Sequence, residues 1–375
     1  MKVLFIFGTR PEAIKMAPLI HEFKKHTAIN TKICITAQHR EMLDQVLEFF
    51  NITPDYDLNL MSPNQTLFDI TAKALKGLEG VLDTEKPDLV FVQGDTTTCF
   101  VGALAAFYKK IKVAHIEAGL RSFNKYSPFP EEINRGLTGK IADYHFAPTA
   151  KAKNNLETEG YKDNIFVVGN TVTDALFLGL DILKNTPSPQ HSALFSHINF
   201  DKRVILVTGH RRESFGKPFQ NLTNAILEIA QGHPDVEIVY PVHLNPNVRS
   251  VVNQTLSGVK NIHLTEPLNY ADLIWLLNQS YMVLTDSGGI QEEAPALGKP
   301  VLVMRDVTER VEGIEAGTAK LVGTNREVIV TETQKLLSDA SHYQTMSQAV
   351  NPYGDGTTSK QVLDILLTVE ENING

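Results

Sequence analysis

The sequence predicts an α/β protein with two doubly wound domains of similar size. Three observations predict this class. Short apolar runs alternate with amphipathic stretches from end to end, which is typical of repeated βα units and parallel sheets. The length of 375 residues suits about two domains. A polar stretch containing proline and serine, residues 185–199, precedes the second series of apolar runs.

The apolar runs have the length of strands that are buried on both faces of a sheet. The first series predicts strands at 3–7, 32–36, 89–93, 112–117, 144–147 and 165–168. The second series predicts strands at 204–208, 236–241, 262–265, 281–285, 300–304 and 319–322. The break falls near residues 169–174. We therefore predict domains at 1–169 and 170–354, with a last helix, 355–375, that crosses back to the first domain.

Composition excludes several classes of protein. With 42% hydrophobic and 21% charged residues, the chain can form two cores. A net charge of −8 argues against a nucleic-acid binder but allows an anionic small-molecule substrate. Cys34 and Cys99 are far apart, which rules out a disulfide framework and favours the cytoplasm. We expect both to be buried as small apolar residues, and we predict neither a signal peptide nor a membrane span.

Residues 283–294 form the most informative segment. An apolar strand enters the turn Ser287-Gly288-Gly289, and this turn begins a helix. Because the first N–H groups of a helix are unpaired and its dipole is positive there, a diphosphate fits the turn. Glu293 follows about one helical turn later, where it can accept hydrogen bonds from ribose hydroxyls. The alternative interpretation is an ordinary tight βα turn.

Two strand ends of the first domain carry polar residues. Arg10 follows strand 3–7 and suits a phosphate, which guanidinium binds through two parallel hydrogen bonds. Lys15 lies one helical turn further and could assist it; the alternative for both is a solvated helix start. Asp95 follows strand 89–93, where it is either a functional acid or only a helix N-cap.

Two further carboxylates follow along the chain. Glu117 ends strand 112–117 and is predicted to share one face of it with His115. A buried strand seldom carries a charge without a partner or a function. Glu117 is therefore either a functional carboxylate or, as the alternative, one half of a structural ion pair. Glu131 begins a helix after a loop fixed by two prolines. It could form a surface pair with Arg135, four residues on, but we favour a positioned carboxylate.

The second domain has basic residues at its strand ends. His210 follows a glycine turn and suits a proton carrier or a phosphate donor, and Arg211 beside it adds positive potential. His243 ends the next strand, and Arg310 closes segment 305–310 on the same rim. The chain lacks the glycine motifs typical of NAD and ATP sites and the His-Glu-x-x-His zinc motif. We therefore predict no cofactor and no metal.

Taken together, these motifs resemble the non-hydrolysing bacterial UDP-N-acetylglucosamine 2-epimerases over essentially the full length. The similar blocks are 8–18, 37–45, 94–98, 117–121, 130–132, 209–213, 241–246 and 286–300. The resemblance implies a GT-B-like fold, in which two Rossmann-like domains face a central cleft. It also implies an isomerase without a cofactor that inverts carbon 2 of the sugar. UDP is eliminated to give 2-acetamidoglucal and is then added back, and the product supplies surface polysaccharide synthesis.

The resemblance also implies roles for individual residues. The residues implied to hold UDP are Arg10, His210, Ser287, Gly288, Gly289, Glu293 and Arg310. The catalytic group is Asp95, Glu117 and Glu131, together with His210. A regulatory site for a second UDP-N-acetylglucosamine is lined by Gln38, His39, Gln65, Arg211 and His243. The family is usually homodimeric. One departure from relatives is Gln93, which stands where they often have His.

Three rival functions fit parts of the same pattern. A GT-B glycosyltransferase that uses a UDP-sugar and an acceptor would share the fold and the Ser-Gly-Gly turn. A hydrolysing 2-epimerase would release UDP and free N-acetylmannosamine, and a non-enzymatic sensor would bind without turnover. Because a transferase needs fewer acidic groups, the set Asp95, Glu117 and Glu131 favours an epimerase over a glycosyltransferase. Analysis of the products by proton NMR would separate all of these functions.

Overall fold

The computed structural model of the chain describes residues 1–37, 40–62, 65–185 and 194–374. The chain divides into two compact units, the first formed by Met1–Leu178 with Tyr353–Gly375 and the second by Gly179–Pro352. The sequence-based bounds, 1–169 with 355–375 and 170–354, stay a prediction beside this division. Each unit has its own parallel sheet, which confirms the predicted α/β class. Within the described ranges, no helix is both long and apolar enough to span a membrane.

The first unit contains a seven-stranded sheet with the order β3-β2-β1-β4-β5-β6-β7. Its strands are β1 (Lys2–Phe7), β2 (Asn30–Ile35), β3 (Tyr56–Asp57), β4 (Leu89–Gln93), β5 (Lys112–Ile116), β6 (Tyr144–Ala147) and β7 (Ile165–Val167). Its helices are α1 (Arg10–Lys24), α2 (Arg40–Phe49), α3 (Leu67–Glu85), α4 (Thr97–Tyr108), α5 (Glu131–Ile141), α6 (Ala150–Thr158) and the start of α7 (Thr171–Asn185). The sequence missed β3, whose two residues are too few to form a recognisable apolar run.

The second unit contains a six-stranded sheet with the order β10-β9-β8-β11-β12-β13. Its strands are β8 (Arg203–Thr208), β9 (Val236–Pro241), β10 (Ile262–Thr265), β11 (Met282–Thr285), β12 (Val301–Val303) and β13 (Ala319–Leu321). Its helices are α8 (Lys217–Gly232), α9 (Pro246–Leu256), α10 (Tyr270–Gln279), α11 (Gly288–Ala296), α12 (Val311–Glu315), α13 (Arg326–Ser338) and α14 (Ala340–Ser347). A last helix, α15 (Thr358–Asn374), belongs to the first unit and contacts α1 there.

Aromatic packing fixes the centre of the first unit. Phe5 of β1 stacks on Phe91 of β4 with ring centroids 4.6 Å apart. Phe23 of α1 meets both rings edge-on, at 5.5 and 5.1 Å. Each of these side chains is fully buried, and burying a large apolar side chain contributes about 1.5–3 kcal/mol. This cluster therefore holds α1 against β1 and β4, the two strands whose loops carry Arg10 and Asp95.

Sheet order decides where the polar loops meet. In the first sheet β1 pairs with both β2 and β4, and in the second sheet β8 pairs with both β9 and β11. At such a reversal of strand order, the connections diverge and leave a crevice outside the carboxyl ends of the strands. Arg10 and Asp95 follow β1 and β4, whereas His210 and Ser287 follow β8 and β11. The topology thus places predicted site residues at the reversal point of each sheet.

Candidate active site

Glu12 joins the loop after β1 to the loop after β4. Its Oε2 accepts hydrogen bonds from the backbone N–H groups of Gly8 (3.0 Å) and Thr9 (2.8 Å), and its Oε1 accepts one from the Thr96 hydroxyl (2.5 Å). Burial raises the pKa of Glu12, although these hydrogen bonds oppose the rise. The capping box that Glu12 forms with Thr9 starts α1, so Arg10 is positioned by the same contacts.

Asp95 is held by a guanidinium. The Nε and Nη2 atoms of Arg135 lie 2.8 and 2.7 Å from Asp95 Oδ2. The Asn134 side chain donates to the Asp95 carbonyl at 2.9 Å. Thr96, rather than Asp95, caps α4, because its hydroxyl accepts the backbone N–H of Cys99. The alternative interpretation of Asp95 as a helix N-cap is therefore wrong.

Arg135 also binds a carboxylate that sequence reasoning missed. Its Nη1 lies 2.8 Å from Oε2 of Glu132. Glu132 accepts the backbone N–H groups of Ser122 and Phe123 at 2.8–3.0 Å. Burial opposes ionisation of Glu132, but these backbone donors and Arg135 outweigh it and lower the pKa. Arg135 therefore connects Asp95 to the loop after β5, and the three-residue spacing from Glu132 was the signal available in the sequence.

The strand that leads to Glu117 ends one residue earlier than predicted. β5 stops at Ile116, and Glu117 has a φ of 64° in the left-handed region. The prediction that His115 and Glu117 share one face of a strand is therefore wrong, since strand alternation no longer sets the direction of Glu117. His115 Nε2 lies 2.7 Å from the carbonyl oxygen of Gly94. Burial lowers the pKa of His115 to about 4, so its imidazole is neutral at physiological pH.

Three donors converge on the buried Glu117 carboxylate. Lys15 Nζ lies 2.5 Å from Oε2, and the Gln93 amide donates to the same oxygen. The Asn170 amide lies 3.3 Å from Oε1. Glu117 therefore has the ion-pair partner that a buried carboxylate requires. Lys15, which the sequence assigned to the diphosphate, contacts this acid.

Glu131 lies at the start of α5. The prediction that a helix begins at this residue is confirmed, with Pro130 as the N-cap. Glu131 is half-buried, and the positive end of the helix dipole favours its negative charge. The alternative interpretation was a surface pair between Glu131 and Arg135, but the guanidinium of Arg135 pairs with Asp95 and Glu132.

In the second unit, the glycine turn before α11 lies among positive side chains. Ser287 is the N-cap of α11 but makes no side-chain capping hydrogen bond. A Cβ atom on Gly288 would lie 3.8 Å from Nη2 of Arg310 and 3.9 Å from Nη2 of Arg211. It would also lie 3.1 Å from Oε1 of Glu309. Two guanidiniums and the start of a helix therefore create a positive site that only a small residue leaves open.

Acidic neighbours hold Arg310 and the nearby Arg305 in place. The Arg310 Nε donates to the buried Glu292, and its Nη1 lies 3.7 Å from Glu309. Arg305 contacts Glu309 at 2.9 Å. Burial opposes ionisation of Glu309, but the two guanidiniums outweigh it and lower its pKa. Glu293 also lies close to the turn, since its Oε2 would be 3.8 Å from a Cβ on Gly289.

His210 lies beside a buried carboxylate and a second imidazole. Asp286 Oδ2 accepts the backbone N–H groups of His210 (2.7 Å) and Arg211 (2.8 Å). The His210 ring stacks on His243 with centroids 4.9 Å apart and an interplanar angle of 6°. Burial lowers the pKa of His210, and Asp286 opposes that shift. Arg211 and His243, which the resemblance assigned to a regulatory site, therefore adjoin Gly288 and His210.

Comparison with known proteins agrees with this geometry. The family model described as UDP-N-acetylglucosamine 2-epimerase matches residues 21–367. The UDP-N-acetylglucosamine 2-epimerase of Escherichia coli O157:H7 is 56% identical over 369 residues, which cover 98% of this chain and 98% of that protein.

The chain belongs to the UDP-N-acetylglucosamine 2-epimerase family.

Solved structures of this family have the same fold. The Neisseria meningitidis UDP-GlcNAc 2-epimerase bound to UDP-GlcNAc has a TM-score of 0.89 and 53% identity, covering 98% of this chain and 100% of that one. The Methanocaldococcus jannaschii enzyme in complex with UDP-GlcNAc and UDP has a TM-score of 0.79 and 38% identity, again covering 98% and 100%. The predicted GT-B-like class and membership of this isomerase family are thereby confirmed.

The predicted residues fall into groups. Asp95 and Glu117 follow the neighbouring strands β4 and β5, whereas Arg211 and Arg310 surround the glycine turn of the second unit. Gln65 bonds locally, its Oε1 accepting the Ser62 N–H at 2.8 Å. The remaining two residues of the predicted regulatory site, Gln38 and His39, lie outside the described residues. Sequence reasoning missed the buried acids that position the others, namely Glu12, Glu132, Glu292 and Asp286.

Proposed function

We propose that this chain interconverts UDP-N-acetylglucosamine and UDP-N-acetylmannosamine by eliminating UDP and adding it back. The observation that carries the proposal is the positive glycine turn of the second unit together with the carboxylates of Asp95 and Glu117 at the strand ends of the first. A departing diphosphate needs positive groups, and a hydrogen on carbon 2 needs a base. Family membership supports the same reaction.

In this proposal the second unit holds the nucleotide. The N–H groups at the start of α11, with Ser287, Gly288 and Gly289, bind the diphosphate. Arg310 and His210 supply positive charge beside it, and the Glu293 carboxylate accepts hydrogen bonds from the ribose hydroxyls. Arg10 from the first unit completes the predicted set. We propose that Lys15, first predicted to assist Arg10, acts on Glu117, because the two side chains are 2.5 Å apart.

The carboxylates of the first unit move the proton. In the elimination a base removes the hydrogen of carbon 2, the bond between carbon 1 and the diphosphate oxygen breaks, and UDP leaves with the electron pair. In the return step an acid delivers a proton to the other face of carbon 2, and the UDP oxygen bonds to carbon 1. We assign the proton transfers to Asp95 and Glu117, and we assign stabilisation of positive charge at carbon 1 to Glu131.

Incubation with UDP-N-acetylglucosamine in deuterium oxide, followed by proton NMR, tests this function. The expected product is UDP-N-acetylmannosamine with deuterium at carbon 2. Free N-acetylmannosamine together with UDP would indicate a hydrolysing epimerase. Turnover that needs an added acceptor would indicate a glycosyltransferase, and binding without turnover would indicate a sensor. If the Asp95→Asn variant still exchanged the hydrogen of carbon 2 fully for deuterium, Asp95 could not be one of the proton-transfer groups.

We also propose that a second UDP-N-acetylglucosamine activates the enzyme. Arg211 and His243 support this, since they lie beside Gly288 and His210, two of the residues proposed to bind UDP. Such neighbours could couple binding of the activator to binding of the substrate. The predicted set for this ligand also contains Gln38, His39 and Gln65. Rates of the reverse reaction from UDP-N-acetylmannosamine, with and without trace UDP-N-acetylglucosamine, test it. Equal initial rates would contradict activation.

A cytoplasmic, homodimeric enzyme that supplies surface polysaccharide synthesis is the wider setting that we propose. For the dimer we propose the face of α3 and α4, which carries a groove of about 530 Å³. The groove is lined by Ala72, Leu75, Lys76 and Glu79 of α3 and by Ala105, Tyr108 and Lys109 at the end of α4. Phe107 and Tyr108 beside it are 59% and 63% exposed. The charged lining residues are paired, Lys109 with Asp83 and Lys76 with Glu79, and the rest of the lining is mainly apolar, as a second copy requires.

Light scattering of Phe107→Glu tests the dimer face. A monomer is expected, because the new charge would have to be desolvated in the interface. Val350→Glu is the matched control, since Val350 is 83% exposed on the second unit. A Phe107→Glu protein with the mass of the wild type would contradict the choice of face.

A further inference from the structure

Asp286 lies fully buried directly after β11 and uses its two oxygens differently. Oδ2 accepts the backbone N–H groups of His210 and Arg211 and so fixes the loop after β8. Oδ1 has no hydrogen-bond partner among the described residues. It lies 3.6 Å from Nδ1 of the His210 imidazole. One oxygen is therefore structural, and the other faces a ring nitrogen.

A purely structural role for Asp286 would not explain why its Oδ1 is buried without a hydrogen-bond partner among the described residues. Leaving a buried acceptor unpaired costs about 1–3 kcal/mol, and for a charged group the cost is higher. The 3.6 Å separation is longer than a hydrogen bond, so a small shift of the ring would complete the contact. The Tyr240 hydroxyl donates to the Gly209 carbonyl at 2.7 Å and holds the loop while the ring moves.

The charged groups that face the imidazole act in opposite directions. Arg211 and the stacked His243 disfavour a proton on His210, whereas Asp286 favours it. Burial disfavours it as well. A bound diphosphate would add negative charge beside the ring and favour protonation. The contact with Asp286 would then strengthen at the moment when His210 needs a proton on both nitrogens.

We propose that Asp286 is a positioning residue for His210. Its Oδ1 accepts the Nδ1–H of the imidazolium, so that Nε2–H points to the diphosphate and donates to it. No covalent bond changes, and the proton on Nε2 stabilises charge on the leaving oxygen. The inference rests on the proposed function only in taking the diphosphate as the ligand of His210.

The variant Asp286→Asn tests the inference. Asparagine keeps an oxygen for the two backbone donors and removes the charge opposite Nδ1. With UDP bound, the pKa of His210, followed by NMR of the imidazole and assigned with His210→Gln, should fall by about one pH unit or more. UDP affinity measured by calorimetry at pH 8 should fall about tenfold for each pH unit by which this pKa falls. At pH 5.5 the difference should shrink, because both proteins are then protonated at His210.

Asp174→Asn is the matched control. Asp174 is also buried and accepts two backbone N–H groups, those of Thr358 (3.3 Å) and Ser359 (2.7 Å), in the first unit. Its replacement should lower stability without changing the titration of His210. In a His210→Gln background, Asp286→Asn should weaken UDP binding little further. An unchanged pKa of His210, or a loss of affinity that is the same at both pH values, would overturn the proposal.

A second measurement covers the case in which Asp286→Asn does not fold. Nitrogen-15 NMR of the wild-type complex with UDP should show His210 protonated on Nδ1, and an unprotonated Nδ1 would overturn the inference. Neither readout requires turnover. A wild type that binds UDP but does not epimerise would refute the proposed function alone, whereas an active enzyme with an unprotonated Nδ1 would refute this inference alone.

Discussion

Replacing Lys15 by methionine tests how the buried acid of the first unit is supported. The Lys15 ammonium lies 2.5 Å from Glu117 Oε2, and the two side chains are 15% and 5% exposed. Methionine keeps much of the side-chain volume but removes the charge. The Glu117 carboxylate would then rely on neutral donors such as the amides of Gln93 and Asn170.

The expected loss of stability follows from this burial. Removing one partner of a buried ion pair costs about 3–5 kcal/mol, because the other charge is left uncompensated. The acid can escape by taking up a proton, which for an ordinary glutamate at pH 7 costs about 3.7 kcal/mol. We therefore expect Lys15→Met to lower the free energy of unfolding by about 3 kcal/mol. Adding Glu117→Gln should recover part of this loss, since the double variant buries no unpaired charge.

Urea unfolding of the wild type, both single variants and the double variant measures the coupling. Circular dichroism should be the probe, because Trp275, the single tryptophan, lies in the second unit. Calorimetry with UDP adds a second readout. If Lys15 acts on Glu117, UDP affinity should change less than about threefold, while kcat falls at least about a hundredfold as a proton-transfer group is displaced.

Two results would refute this reasoning. A Lys15→Met protein within about 1 kcal/mol of the wild type, with no coupling to Glu117, would mean that the pair is worth no more than a surface salt bridge. A UDP affinity that falls roughly a hundredfold with kcat preserved would instead make Lys15 a diphosphate ligand, because uniform binding would then be what was lost.

Further predictions concern the remaining supports of the site. Arg135→Met should lower kcat by about a hundredfold or more with UDP affinity nearly unchanged, since Asp95 loses its guanidinium; steady-state kinetics and calorimetry check this, and equal losses in both would contradict it. Gly288→Ala should weaken UDP binding about tenfold or more, because its Cβ enters the space beside Arg310 and Arg211, whereas Gly232→Ala, with open space around it, serves as the control in the same calorimetry. His115 binds a proton more weakly in the folded state, with a pKa of about 4, than in the unfolded chain near 6.5. The unfolded state therefore takes up more protons between these values, and the contribution of His115 to stability should be constant above about pH 6.5 and fall on acidification towards pH 4. Burial also lowers the pKa of His145 to about 4, so His145 adds a similar contribution. His115→Gln should flatten this decline in melting temperature, and an unchanged slope would contradict the assignment.

Much of the fold could be predicted because burial leaves a strong signal in the sequence. Strands such as β4 and β9 are mainly apolar and buried along nearly their whole length, and their observed bounds, Leu89–Gln93 and Val236–Pro241, are those predicted. The two-residue β3 could not be predicted, since it has no apolar run of its own. The end of β5 was predicted one residue late, because Glu117 has a left-handed backbone. The sequence signals such a conformation at a glycine but not at a glutamate.

The sequence by itself determined which types of residue stand at the candidate site. The tertiary structure decided which of these residues contact one another. Residue types next to glycine turns sufficed to indicate a diphosphate site at Gly288 and acids at Asp95 and Glu117. The partners of those acids lie 40 and 102 residues away, at Arg135 and Lys15, and no local pattern relates them. Only strand order brings such residues together, because parallel strands distant in sequence end at the same edge of a sheet. The same reason explains why Asp286 was recognised as a positioning acid in the structure alone, since its backbone donors lie on the loop after β8. Glu12 and Glu132 each had a local signal, namely the capping-box spacing from Thr9 and the three-residue spacing to Arg135.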